Sequence, residues 1–142
     1  MDAAYRLMKL DDYEEVFSLW KTTPGIGLSA ADQKKNIQTF LQKNSDTCFV
    51  ALIDGKIVGT ILCGDDGRRG YMYHLVVAES TRKKGVGATL VKMGMEALQR
   101  HGIEKCHLFV YGDNATAIEF YQRLGWKERT ELLLFSSPPL GT

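Results

Sequence analysis

Gly85 and Gly87, one residue apart, stand where an apolar strand-like run gives way to the clearest amphipathic helix pattern in the chain. Upstream lies Tyr73-His74-Leu75-Val76-Val77. Downstream, Val86, Leu90, Val91, Ala97 and Leu98 recur near one helical face until His101-Gly102 ends the pattern. A further strand-like run, Cys106-His107-Leu108-Phe109-Val110-Tyr111, follows. Strand, long helix, strand is a crossover unit, so the strands at 71–77 and 105–111 are expected to run parallel in one sheet. The two glycines let the backbone approach an anion closely, and a helix start offers unpaired N–H groups at the positive end of its dipole. Arg82-Lys83-Lys84 adds three cations just upstream. The stretch reads as a cradle for a diphosphate.

Around this unit the patterning predicts one mixed α/β domain over residues 1–136 and a disordered tail at 137–142. Residues 4–9 suggest a short strand, and Asp11 or Asp12 a cap for a helix burying Tyr13, Val16, Phe17 and Trp20. Ser29 can cap a second helix near 30–43, with Ile37, Phe40 and Leu41 on one face. The runs 47–53 and 56–63 are joined by Asp54-Gly55, a strong hairpin signal. A second turn at 64–70 leads to the strand at 71–77, completing an antiparallel meander. Asp113-Asn114 caps a short helix ending at Leu124-Gly125, and residues 126–135 suggest a last strand.

Composition narrows the ligand. Lys plus Arg number 18 against 17 Asp plus Glu, so no global basic field of the kind nucleic-acid binders use is present. The cations at 82–84 therefore suit a small anion better than a polymer, and no nucleic-acid partner is expected. No apolar run approaches the ~18 residues of a membrane span. With no secretory signal at the N-terminus, a cytoplasmic protein with no membrane partner is expected. Cys48, Cys63 and Cys106 are odd in number, far apart and set in apolar runs, which reads as buried free thiols without metal-ligand spacing.

Arg82-Lys83-Lys84-Gly85-Val86-Gly87 resembles the pyrophosphate signature of the GNAT superfamily of acyl-CoA-dependent N-acetyltransferases. Asn114-Ala115-Thr116-Ala117-Ile118-Glu119-Phe120-Tyr121-Gln122-Arg123-Leu124-Gly125-Trp126 is similar to that family's second signature, in which an Asn opens a helix and a Tyr precedes a Leu-Gly-aromatic stop. The order of elements from Ala4 to Phe135 fits as well. The turn at 64–70 and its following strand look like an uncharacterised bacterial branch related to ribosomal-protein N-terminal acetyltransferases. Competing phosphate motifs fit less well. The P-loop pattern is absent, and a dinucleotide fingerprint wants a small residue where Leu90 stands.

The resemblance implies a GNAT fold, a central mixed but mostly antiparallel sheet with a splayed parallel strand pair and helices on both faces. It implies acetyl-CoA as co-substrate, with no metal, and an amine acceptor on a small molecule or a protein. The chain would act as a monomer or homodimer. Leu75, Val76 and Val77 would meet the pantetheine arm along the strand edge, and the backbone of Lys83, Lys84, Gly85, Val86, Gly87 and Ala88 the pyrophosphate. Arg82, Lys83 or Lys84 would meet phosphates from outside. Asn114 and Ala117 would line the channel, and Tyr121 would protonate the departing thiolate. A non-catalytic acyl-CoA-binding module on the same fold is the competing reading.

The proton acceptor for the incoming amine is open. Strict alternation puts Tyr71, Tyr73, Leu75 and Val77 on one face and Met72, His74 and Val76 on the other. Tyr71 and Tyr73 would then face the acceptor, and His74 would be a packed histidine unless a β-bulge intervenes. The ribosomal-protein enzymes carry a catalytic Glu where this chain has Phe109, a departure in both mechanism and substrate. The charged residues Asp65, Asp66, Arg68 and Arg69 read as a solvated hairpin tip or, with the 20–28 connection, as part of an acceptor mouth.

Overall fold

The computed structural model describes residues 2–141, and the chain condenses into two units divided between Phe109 and Val110. The first unit is built on a sheet in the order β1 (Ala4–Leu7), β2 (Phe49–Ile53), β3 (Lys56–Asp65), β4 (Gly70–Val77), β5 (Cys106–Leu108). Neighbours are antiparallel from β1 to β4, and β4 and β5 are parallel. Asp54 and Gly55 both take positive φ, 53° and 75°, the type I′ combination that matches strand twist and fixes the β2–β3 register.

Two helices cover one face of the sheet and a third covers the other. On the first face, α1 (Tyr13–Lys21) and α2 (Lys34–Lys43) bury Val16, Trp20, Ile37 and Leu41 against Val50, Leu62 and Val76. A 3₁₀ turn at Ala30–Asp32 joins them; Ser29 Oγ accepts the Ala31 N–H at 3.2 Å and Asp32 Oδ2 the Ser29 N–H at 3.0 Å. Asp12 does not cap α1 as expected. Its carboxylate turns back to the Lys9 N–H, 2.9 Å, and to the Arg6 guanidinium, 2.8 and 2.9 Å.

On the opposite face, α3 (Val86–Arg100) lies very close to the sheet. A Cβ on Gly94 would sit 2.6 Å from Cys63 Sγ and 3.2 Å from Met72 Cε, and one on Gly70 would sit 2.8 Å from a Leu98 methyl. A Cβ at either position would have to displace a buried side chain, since Cys63 is 0% and Leu98 2% exposed. Cys48 and Cys63 are buried, as expected, while Cys106 is only half-buried in the short β5. Burial raises all three thiols, Cys48 and Cys106 each to about 11.

The second unit contains α4 (Ala115–Arg123) followed by turns and extended chain. The strand expected at 126–135 does not form among the described residues. The Leu132 N–H is spent on the Arg129 carbonyl at 3.3 Å, and Arg129 binds Glu131 at 3.0 Å, so the chain turns where a ladder would need it extended. Leu133 and Phe135 are 83% and 85% exposed. Of the expected tail, residues 137–141 have no helix or strand, and Thr142 lies outside the described residues.

α3 ends at His101, whose ring joins two loops. Nε2 lies 2.9 Å from Asp46 Oδ2 and Nδ1 3.1 Å from Asp65 Oδ2. Hydrogen bonds to Asp46 and then Asp65 raise His101 above its ordinary 6.5, and the bond to His101 holds Asp46 below its ordinary 3.8. The His101 contribution is therefore complete below 6.5 and lost as pH rises through the raised value. The Asp46 contribution is complete above 3.8 and lost as pH falls through the lowered one.

Two stability experiments follow from this packing. Gly94→Ala is expected to cost about 1–3 kcal/mol in urea unfolding by overpacking. Adding Cys63→Ala should return part of that loss, making the double variant more stable than the sum of its parts. For the bridge, the wild-type urea midpoint should decline as pH rises above the ordinary histidine value of 6.5, and His101→Gln should flatten that decline.

Candidate active site

The stretch read as a cradle is an exposed turn running into α3. Lys83 and Gly85 take positive φ, 66° and 79°, so the backbone curls before the helix begins at Val86. The helical ladder opens with the Thr89 N–H on the Gly85 carbonyl at 3.0 Å, and the N–H groups of Val86, Gly87 and Ala88 precede it. Arg82 Nε reaches back 3.3 Å to the Val77 carbonyl, tying the turn to the end of β4. Among the described residues no carboxylate pairs with Arg82, Lys83 or Lys84, so their charge remains available to an anion. A cavity of about 420 Å³ adjoins this turn, lined by Asp2, Ala3, Tyr5, Ile53, Lys84 and Val86.

β4 leads from the sheet centre toward that turn, and it leaves β5 on the way. The parallel pairing runs Gly70↔Cys106, Tyr71↔His107, Met72↔Leu108 and stops. β5 is accordingly shorter than the 105–111 expected from sequence. Beyond Met72 the β4 edge that faced β5 has no ladder partner among the described residues, and Leu75, Val76 and Val77 lie along it.

The predicted alternation of β4 fails at His74. Opposite β3 the register passes from Leu62↔Tyr73 to Thr60↔Val76, so His74 and Leu75 together face the single residue Ile61. This is a β-bulge, with His74 at φ 49°, a left-handed conformation that costs a non-glycine residue about 1–2 kcal/mol. Tyr73 meets Phe40 of α2 at 6.1 Å and His74 meets Trp20 of α1 at 4.7 Å between ring centroids. Tyr71, Tyr73 and His74 thus share the α1/α2 face. Val77 pairs with Gly59, whose missing Cβ would point at Leu90 and Val86 of α3. Leu75 and Val77 therefore lie on the α3 face, opposite Tyr71 and Tyr73 rather than beside them.

Three side chains hold the bulge in place, and of these the sequence reading left Thr60 and Asp32 out of the site. Thr60 Oγ1 donates to the His74 carbonyl at 2.9 Å and accepts from Trp20 Nε1 at 3.0 Å. Asp32 Oδ1 lies 2.7 Å from His74 Nε2. Asp32 is 6% exposed, and its main-chain carbonyl accepts the Tyr13 hydroxyl at 2.7 Å. The Ser29-x-x-Asp32 spacing signals a helix start in the sequence, but nothing local signals that Asp32 meets a residue 42 positions away.

The remaining candidates divide between the two units. Phe109 stacks on Tyr71, ring centroids 6.3 Å apart. The turn at 65–69 satisfies itself: Asp65 accepts the Gly67 N–H, and Asp66 accepts those of Arg68 and Arg69, which lowers the Asp66 carboxyl. In the second unit, Asn114 Oδ1 caps α4 by accepting the Ala117 N–H at 3.2 Å. Ala117 and Tyr121 follow at helical spacing on the same side of α4, and the Tyr121 ring lies edge-on to Phe120 and Trp126.

Known proteins resemble this arrangement along most of its length. A sequence model described as the acetyltransferase (GNAT) family matches residues 13–126. An acetyltransferase of Sodalis glossinidius (strain morsitans) is 33% identical over 129 residues, covering 91% of this chain and 90% of that protein. Among solved structures, Ard1 from Thermoplasma volcanium superposes with a TM-score of 0.78 at 21% identity, over 88% of this chain and 82% of its own. The PaiA N-acetyltransferase of Thermoplasma acidophilum, solved with coenzyme A, gives 0.76 at 22% identity, over 89% and 91%.

Proposed function

The chain belongs to the acetyltransferase (GNAT) family, and we propose that it moves an acetyl group from acetyl-CoA to a primary amine by direct attack. The observation that carries this reading is the sequence of β4, an open strand edge, and the Gly85 turn into α3. An extended ligand arm can add to a free strand edge through backbone hydrogen bonds. A diphosphate at the arm's end would then meet the N–H groups of Val86, Gly87 and Ala88, with Arg82, Lys83 and Lys84 around it. The coenzyme A in the PaiA structure supports the same donor here.

In this reading Leu75, Val76 and Val77 present the edge, and Lys83, Lys84 and Gly85 complete the cradle. Asn114 keeps its cap and turns its amide nitrogen to the pantetheine, while Ala117 leaves room beside it. The amine's lone pair attacks the thioester carbonyl, and the C–S bond breaks. Tyr121 supplies the proton that the sulfur needs to leave as a thiol. Tyr71 and Tyr73, on the α1/α2 face, contact the acceptor.

Isothermal titration and an acetyl-CoA consumption screen over polyamines, amino acids and peptide N-termini test the proposal. Wild-type protein should bind acetyl-CoA, and Gly87→Trp should abolish binding by filling the space the backbone leaves. Tyr121→Phe should lower turnover about 100-fold or more with affinity nearly unchanged. Unchanged binding by Gly87→Trp removes the cradle. Binding without turnover on any acceptor favours a carrier or sensor of acyl-CoA over an enzyme.

A further inference from the structure

We infer that His74 is the general base that takes the proton from the acceptor amine, with Asp32 as the positioning residue that fixes its tautomer. This rests on the proposed acetyl transfer and supplies its missing group. The bulge changes which face His74 belongs to. It places the ring on the same face as Tyr71 and Tyr73, at the point where β4 parts from β5. The two faces of the parting are then differently equipped. Leu75 and Val77 lie toward α3 and the cradle, while an imidazole and two phenols lie on the other side.

The ring is held as a base needs to be held. Asp32 Oδ1, 2.7 Å away and 8% exposed at the side chain, accepts from Nε2 and leaves the lone pair on Nδ1. The same carboxylate stabilises the imidazolium once Nδ1 takes a proton, the role an orienting carboxylate has in hydrolase triads. Trp20 limits ring rotation from α1, yet the His74 side chain keeps 15% of its surface open.

The charged surroundings are few. From the 3₁₀ turn comes Asp32, and from α1 comes Tyr13, whose hydroxyl donates to the Asp32 carbonyl oxygen. Beyond Tyr13, Glu14 of α1 and Lys34 of α2 neutralise each other at 3.2 Å. β3 contributes the uncharged Thr60, and β4 itself Tyr73. An ammonium acceptor gives up two protons as its nitrogen forms the amide bond. One passes through His74 Nδ1 to solvent, and the other replaces the proton that Tyr121 gives to the CoA sulfur.

The test uses the full chain with acetyl-CoA and a fixed acceptor set of n-propylamine, spermidine, lysine and an alanyl peptide, with water as the background acceptor. His74→Gln can still donate to Asp32 but cannot accept a proton. It should bind acetyl-CoA within about twofold of wild type, lose about 100-fold in kcat/KM, and lose the acidic limb of the pH–rate profile. Asp32→Asn should shift that limb and lose less. Nitrogen-15 imidazole spectra of wild type should show the Nε2–H tautomer at His74, and Asp32→Asn should release it. The spectra decide the matter if His74→Gln does not fold: an Nδ1–H tautomer overturns the inference. So does a His74→Gln variant with an unmoved pH profile, or a wild type that binds acetyl-CoA but discharges it to none of these acceptors. Failure of wild type to bind acetyl-CoA instead overturns the proposed function beneath it.

Discussion

One extra residue in β4 organises the first unit. Two residues of β4 face one of β3, so the strand bends, and past this point it has no partner in β5. The bend needs support because His74 is left-handed there. Thr60 and Trp20 support its main chain, and Asp32 its ring. Each of these comes from a different element, so β3, α1 and the turn after α1 hold the bulge together.

The cradle depends on a different constraint, the distance between α3 and the sheet. Gly59, Gly70 and Gly94 let the helix lie so near that a single methyl group would collide or crowd. That closeness fixes where Val86 starts and hence where the turn at Gly85 stands relative to the end of β4. Arg82 reinforces the connection through the Val77 carbonyl. The glycines that shape the packing are thus as consequential as those of the turn, although they carry no motif.

What was legible in the sequence was local. Asp54-Gly55 specifies its hairpin through two positive φ values, Gly85 its turn through a third, and Asn114 its helix through a side-chain cap. These residues act on backbone within a few positions of themselves. The face assignment of β4 was not legible, because strict alternation is the default and the bulge is fixed by Asp32 and Thr60, 42 and 14 residues away. The run at 126–135 shows the converse error. Its apolar residues have the composition of a strand, but a strand is defined by a partner, and the Arg129–Leu132 turn uses the backbone otherwise.

The cysteines have a practical consequence. Cys48 and Cys63 are 1% and 0% exposed, and Cys106, half-buried in β5, holds its proton until about pH 11. Disulfide exchange proceeds through the thiolate, which at neutral pH none of these groups supplies in quantity. Free coenzyme A, the thiol product of the proposed reaction, carries its thiol in open solvent, where no burial opposes ionisation or access. A chromogenic disulfide added to the native protein therefore reports the small thiol against a quiet protein background, and acceptors can be screened in real time without altering a single cysteine.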